Sequence, residues 1–216
     1  MYGALDGAEV LLQAGRYHAY EGHSLELVVA PVRILAELGI EILVVTNAAG
    51  GIHPSMEPGD LVLLDDHVNV MFRSPLVGPA IDEEQRFSDM SAPYDPALQE
   101  AARRAAADVG VELARGTYAA VLGPAYETAA EVRMLAKIGA DVVGMSTVPE
   151  VITARALGMR CLGFSMVTNK ATGMGGARIA HEDVLQIGKQ AGVRLGLVLG
   201  AFVQELCGGD QSIETK

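Results

Sequence analysis

Three times along this chain a helix-like stretch ends on a glycine and gives way to apolar residues that stop on small polar side chains. The first copy is Arg33-Ile-Leu-Ala-Glu-Leu-Gly39, followed by Ile42 to Asn47. The second is Val132 to Gly139 before Asp141 to Thr147, and the third is Ile152 to Gly158 before Cys161 to Asn169. Each glycine suits the left-handed backbone just past a helix end, and each apolar run reads as a strand buried on both faces. Helix then strand, repeated, predicts one α/β domain: a central mixed, largely parallel β-sheet flanked by helices. Buried strands ending in hydroxyls and amides place a ligand site at their C-terminal ends.

The same patterning predicts further strands at Glu9 to Gln13, Leu25 to Ala30, Leu61 to His67 and Gly116 to Leu122. Pro96 to Val109 reads as an Ala-rich surface helix and Glu182 to Leu206 as a C-terminal helix. The domain is therefore expected to span residues 1–206, with a flexible tail over 207–216. Phe72 to Tyr94, rich in Pro, Ser and Asp, is expected to be a long surface loop. Loops of that length in compact domains are usually functional or subunit-bridging.

Composition narrows the chemistry. Half of the 216 residues are apolar, enough for a sizeable core, and the net charge of −11 disfavours bulk binding to nucleic acid or an anionic membrane. An anionic ligand must then be held by a local cluster of donors. Cys161 and Cys207 have neither ligand nor redox spacing, which favours a reducing compartment. No apolar run reaches the roughly eighteen residues of a spanning helix, and the first residues lack a basic region with an apolar core, so a cytoplasmic protein is expected. The sequence carries no metal-ligand cluster, activated thiol or hydride-cofactor motif, so no cofactor is expected and hydrogen bonds and backbone dipoles must carry the chemistry.

Several short segments then stand out, each with an ordinary reading beside it. In Arg16-Tyr-His18-Ala-Tyr20-Glu21-Gly22, an extended backbone puts Arg16, His18 and Tyr20 on one face, where the first two can both donate to a phosphate. The same segment can be a solvated turn with a surface ion pair to Glu21. Thr46-Asn47-Ala48-Ala49-Gly50-Gly51 is either an anion-binding backbone nest or a tight turn needing its glycines. Thr147 and Glu150 have capping-box spacing after Ser146, and a helix start at a strand end can hold an anion or simply be a cap. Thr128 and Glu131 form a second such box, leaving Glu127, beside Tyr126, as a surface charge or an acceptor for the N–H groups of a planar heterocycle. Asn169 is either an Asx turn or an amide that both donates to and accepts from a purine edge. His181 precedes the C-terminal helix, as a helix-entry residue or a hydroxyl ligand.

In order along the chain, Gly15-Arg-Tyr-His-Ala-Tyr-Glu-Gly22, Val45-Thr-Asn-Ala-Ala-Gly-Gly51, Gly123-Pro-Ala-Tyr-Glu-Thr128, Gly144-Met-Ser-Thr-Val-Pro-Glu-Val151, Val167-Thr-Asn-Lys170 and His181-Glu-Asp-Val-Leu185 resemble the trimeric purine nucleoside phosphorylases. The resemblance implies phosphorolysis of a purine ribonucleoside or 2′-deoxyribonucleoside to the free base and a pentose 1-phosphate, with inorganic phosphate as co-substrate and no cofactor. It implies that Arg16, His18, the Ala48 N–H and Ser146 bind phosphate. Tyr20, Met145 and His181 would hold the pentose, and Tyr126, Glu127, Val143, Thr168 and Asn169 would surround the base. Asn169, His18 and Glu127 would carry the catalysis, and Phe87 would cover a neighbouring subunit's pentose, implying a homotrimer.

Three departures from the family matter. Its members carry a further segment upstream of the part that matches Gly15, with a Gly-Ser-Gly phosphate loop, so weak phosphate binding and slow turnover are expected of this chain. Tyr126 stands where the family usually has phenylalanine, and 172–180 differs from its base-covering loop. The alternatives are a methylthioadenosine phosphorylase, which usually places an aspartate at the position of Asn169, and a catalytically impaired nucleoside-binding subunit.

Overall fold

Period-two alternation along the strands feeds apolar side chains to two layers of helices. In strand β4 (Leu61–Asn69), Leu61 and Leu63 join one core cluster while Val62 and Leu64 join another. In β7 (Arg160–Lys170), Leu162 and Phe164 face the first cluster, and Cys161 and Val167 the second. The computed structural model describes residues 1–5, 8–79, 81, 84–175 and 181–208, the side chains of 181–186 and 208 excepted.

With β3 (Ile42–Gly51), β5 (Ala114–Ala120) and β6 (Val142–Gly144), these strands form a mixed sheet in the order β3-β6-β5-β4-β7 that closes on itself. The pairs β3–β7, β4–β5 and β5–β6 are parallel, and β3–β6 and β4–β7 antiparallel. Helices α1 (Leu25–Glu37) and α4 (Val148–Ala156) cover one side, and α2 (Pro96–Asp108) and α5 (His181–Gly208) the other. Helix α3 (Ala129–Lys137) packs Val132 and Leu135 against Ile52, Ala119 and Val143. This is the α/β domain with a mixed, largely parallel sheet that the pattern predicts. Among the described residues no helix is long and apolar enough to cross a membrane.

Local chemistry fixes the helix starts. Asp95 caps α2 by accepting from the Ala97 and Leu98 N–H groups, both at 2.9 Å, with Pro96 next in the chain. Its oxygens also accept from Arg160 Nε and Nη2 at 2.8 and 3.0 Å, tying the start of α2 to the start of β7. The Arg160 hydrogen bonds hold the Asp95 carboxyl down at about 2.

Four expectations need correction. Leu25 to Ala30 is not a strand but the first turns of α1, because Ser24 Oγ caps the Leu27 N–H at 3.3 Å and Leu25, Val28, Val29 and Val32 bury one helical face. Burial of that face outweighs the local resistance of the valine pair and Pro31 to helix formation. The strand expected at Glu9 to Gln13 is β2 (Ala8–Leu11), which pairs with β1 (Tyr2–Leu5) in a separate hairpin rather than joining the main sheet. Strand β3 runs on to Gly51, because its glycine end pairs with β6. Helix α5 continues through Cys207 to Gly208, so the tail expected over 207–216 does not begin at Cys207, and 209–216 lie outside the described residues.

Gly163 in β7 sits against the buried Tyr94 ring, and a Cβ there would lie 2.7 Å from Tyr94 Cε1 and 3.0 Å from Leu64 Cδ1. Gly163→Ala is expected to lower stability by about 1–3 kcal/mol through overpacking. Gly192→Ala, in the open surroundings of α5, is expected to raise it by about 0.5–1 kcal/mol. Urea midpoints of the two variants check both signs.

Candidate active site

A cavity of about 610 Å³ opens where the polar ends of β3, β6 and β7 meet the segment after β2. Arg16, His18, Ala48 and Ser146 line it together with Tyr20 and Met145, and Tyr126, Glu127, Val143, Thr168 and Asn169 complete the wall. Nearly all the sequence-predicted site residues thus converge on one volume. Phe87 is the exception in plain view: it stands 92% exposed on the long loop and is not among the lining residues. His181 begins α5, and its side chain lies outside the described residues.

The segment from Arg16 to Glu21 is held by its own contacts. A 3-10 turn over Ala19–Glu21 replaces a straight strand, so Tyr20 stacks on His18 with ring centroids 4.7 Å apart instead of following it along one extended face. Glu21 Oε1 lies 2.7 Å from His18 Nδ1, which favours the tautomer with hydrogen on Nδ1 and leaves Nε2 as the other ring nitrogen. Glu21 therefore serves His18, not Arg16. The Arg16 partner is the buried Glu150, with Nη1 to Oε1 at 3.1 Å, while Nη2 donates to the Thr46 carbonyl.

This pairing overturns the capping box expected of Thr147 and Glu150. Thr147 is the residue before α4, but its φ of 74° turns its hydroxyl away from the helix, and it makes no side-chain cap bond. A positive φ is strained for a β-branched residue and persists only where surrounding contacts enforce it. Those contacts are visible: Thr147 Oγ1 accepts from Asn47 Nδ2 at 2.9 Å and lies 3.1 Å from Ser146 Oγ. Asn47 Oδ1 in turn accepts from Ser165 Oγ at 2.8 Å, inside the sheet. The Ser146 N–H donates to Tyr118 Oη at 3.2 Å, and burial pushes the Tyr118 phenol up to about 12. Gly144 must be glycine here, because a side chain would run into the Tyr118 hydroxyl.

At the other end, the box of Thr128 and Glu131 does form: the Thr128 N–H donates to Glu131 Oε2 at 2.7 Å, and the Glu131 N–H to Thr128 Oγ1 at 3.3 Å. With Glu131 occupied, Glu127 turns to the cavity wall. Burial raises the Glu127 pKa, its own backbone hydrogen bond lowers it, and the nearby Glu131 charge raises it, for a net upward shift. Asn169 is oriented by two neighbours, Oδ1 accepting from Thr168 Oγ1 and Nδ2 donating to the Lys170 carbonyl, both at 3.0 Å. The close approach of Gly50 leaves room for this amide, since a Cβ at Gly50 would lie 3.3 Å from Nδ2.

Sequence reasoning passed over Asn47 and Glu150 as parts of the site. Asn47 stood in the β3 segment only as part of a turn or nest, although a buried amide within an apolar strand is itself a signal. Glu150 was hidden by its capping-box spacing. Gln13, Pro124 and Met166 also line the cavity, with no sequence signal beyond position. Among the described residues, no group of three His, Cys, Asp or Glu side chains is arranged to hold a metal.

A family model described as the phosphorylase superfamily matches residues 1–204. A protein of Geobacillus stearothermophilus named purine nucleoside phosphorylase 1 is 48% identical over 187 residues, covering 86% of this chain and 68% of the relative. The purine nucleoside phosphorylase of Mycobacterium tuberculosis is 48% identical over 194 residues, covering 90% of this chain and 69% of the relative. Among solved structures, a Schistosoma purine nucleoside phosphorylase in complex with hypoxanthine superposes with a TM-score of 0.91 at 38% identity, covering 95% of this chain and 76% of that one.

The raised pKa of Glu127 gives a test in stability. The folded chain keeps this proton to higher pH than the unfolded chain, so its contribution to stability is present below the ordinary 4.5 and is lost as pH rises through the folded value. Glu127→Gln removes that loss. The variant should gain stability relative to the parent as pH rises from 4.5 through the folded value of Glu127, measured by urea unfolding across the range. A constant difference would show that Glu127 titrates alike in both states.

Proposed function

The chain belongs to the phosphorylase superfamily, and we propose that its cavity seats inorganic phosphate against Arg16, His18, Ala48 and Ser146 and a purine nucleoside against Glu127 and Asn169. The activity is that of a purine nucleoside phosphorylase, a pentosyl transfer: (deoxy)inosine or (deoxy)guanosine and phosphate give free purine and (deoxy)ribose 1-phosphate. The observation that carries the residue assignment is the convergence of these six positions on one cavity from five separate stretches of chain. The Schistosoma enzymes, captured with hypoxanthine, inosine and guanosine, support the ligand class.

The chemistry follows from the charges that develop. A phosphate oxygen bonds to C1′ as the C1′–N9 bond breaks, and the purine leaves with that bond's electron pair and takes up a proton. Positive charge builds on the sugar, as in other glycosidic cleavages. Phosphate is already an anion, so it needs placement rather than a base; the Arg16 guanidinium and the Ser146 hydroxyl supply donors for that, and His18 adds one through Nε2 when its ring carries both protons. Asn169 Nδ2 can donate to purine N7 as negative charge reaches the ring, a bond that strengthens in the transition state. Glu127, when ionised, can accept N1–H and the guanine amino group. Adenine offers a bare acceptor at N1, which favours hypoxanthine and guanine as bases.

Phe87 fits the same reading from outside. A phenylalanine 92% exposed on the loop between β4 and α2 is suited to cover the pentose of a neighbouring subunit in a homotrimer. Two free cysteines, one buried and one half-buried, suit the cytoplasm.

Cleavage of inosine should occur with phosphate and stop when phosphate is omitted, followed by release of hypoxanthine. Asn169→Asp should lower inosine turnover and raise adenosine turnover, because an acceptor then faces the 6-amino group. An unchanged ratio of the two rates would remove Asn169 from base recognition. Phe87→Ala should raise the nucleoside KM about tenfold, the scale of one lost aromatic contact in a desolvated site, while sedimentation still shows a trimer. A well-folded, fully active monomer would sink the subunit-bridging role.

A further inference from the structure

Glu150 is a carboxylate that the chemistry above leaves without a task. It is 6% exposed, in the first turn of α4, and beside a site that has to attract an anion. One oxygen accepts from Arg16 Nη1 at 3.1 Å, and the other is buried with no hydrogen-bond partner among the described residues. A half-satisfied buried carboxylate is a poor device for stability. Its charge also opposes that of the incoming phosphate. Both costs point to a gain elsewhere.

The gain is visible in the geometry around Arg16. The guanidinium is otherwise a long side chain with many rotamers, rooted in an irregular segment after the hairpin, and its side chain is 21% exposed. Glu150 Oε1 and Thr147 Oγ1 accept from Nη1, and the Thr46 carbonyl accepts from Nη2. These three acceptors belong to α4, to the strained turn before it and to β3, so they are fixed in the frame of Ser146 and Ala48. Asn47 locks that frame by joining Thr147 to Ser165 of β7.

We infer that Glu150 is a positioning residue, which holds the Arg16 guanidinium in the frame of Ser146 so that its remaining N–H groups meet phosphate together with the other donors. The inference rests on the reading of Arg16 as a phosphate ligand. It separates reach from charge: what matters is an acceptor atom at the end of a side chain of this length.

Three substitutions test it, read by phosphate KM, nucleoside KM, kcat and thermal melting. Glu150→Gln keeps the reach and an acceptor oxygen, and should leave the phosphate KM within about threefold of the parent with melting unchanged or raised. Glu150→Asp keeps the charge but shortens the reach, and should raise the phosphate KM about tenfold or more, the scale of one lost charge-assisted hydrogen bond. Glu150→Ala should do at least as much, with nucleoside KM changed little, and should add no further loss of phosphate binding in an Arg16→Ala background. Calorimetric titration with inorganic phosphate repeats the comparison without turnover. A phosphate KM that falls in Glu150→Gln and Glu150→Ala alike would make the carboxylate a mere electrostatic drag and overturn the inference. So would equal losses in the Arg16 and Arg16→Ala backgrounds, or losses that follow melting temperature alone. If the parent protein neither binds phosphate nor cleaves inosine, the phosphate-site reading itself fails; if Arg16→Ala loses phosphate while no Glu150 variant does, only this inference fails.

Discussion

Strand β3 lies parallel to β7 over ten residue pairs, from Ile42 opposite Arg160 to Gly51 opposite Lys170, and the candidate active site hangs on that register. Asn47 falls opposite Ser165, and their hydrogen bond is the first link of the polar chain that reaches Thr147. A slip of one residue would exchange the two faces of the strand, burying what now faces the cavity and exposing the apolar positions that feed the helices. The register then shifts between Ala49 and Gly50, which brings Asn169 opposite Gly50. A bulge of this kind re-aims side chains at the end of a sheet. Here it places an amide against a glycine, where no side chain competes for the space.

From that register follows an unusual arrangement of charge. The protein as a whole carries −11, and the arginine of its proposed anion site is already paired with a carboxylate. Net positive charge therefore cannot be what would draw phosphate to the proposed site. Direction replaces magnitude: a guanidinium fixed by acceptors on three elements, an imidazole with Nδ1 committed to Glu21, and a hydroxyl at a helix start. Groups held in place before the ligand arrives need little reorganisation when charge develops, which is where electrostatic catalysis gains most. The strained backbone at Thr147 belongs to the same economy, since its hydroxyl serves the polar chain instead of capping α4.

The proposed base end is built on the opposite principle, with one exposed aromatic side and one desolvated carboxylate. Tyr126 is 48% exposed, while Glu127 is drawn far enough into the wall for burial to raise its pKa. The neighbouring capping box keeps Glu131 on the helix and so decides which of the two carboxylates is available. On the proposed reading, a local helix-start motif thereby acts on specificity without touching a ligand.

The layers, and most of the residues that line the cavity, were legible in the chain alone. Apolar runs after C-terminal glycines located β3, β6 and β7, and the Ala-rich stretch after Asp95 located α2, because burial and capping are local in their demands. Short motifs named Arg16, His18, Glu127, Ser146 and Asn169, which the cavity gathers. Leu25 to Ala30 was misread because valine-rich sequence suits a strand or a buried helix face equally, and only packing on the sheet decides. Which carboxylate meets which cation was beyond local reading. Glu21 pairs with His18, three residues away, whereas Glu150 crosses from α4 to Arg16 and abandons the cap its spacing suggests. That choice depends on the positive φ of Thr147 and on Asn47 and Ser165 meeting across β3 and β7, and such long-range contacts exist only once the sheet has closed.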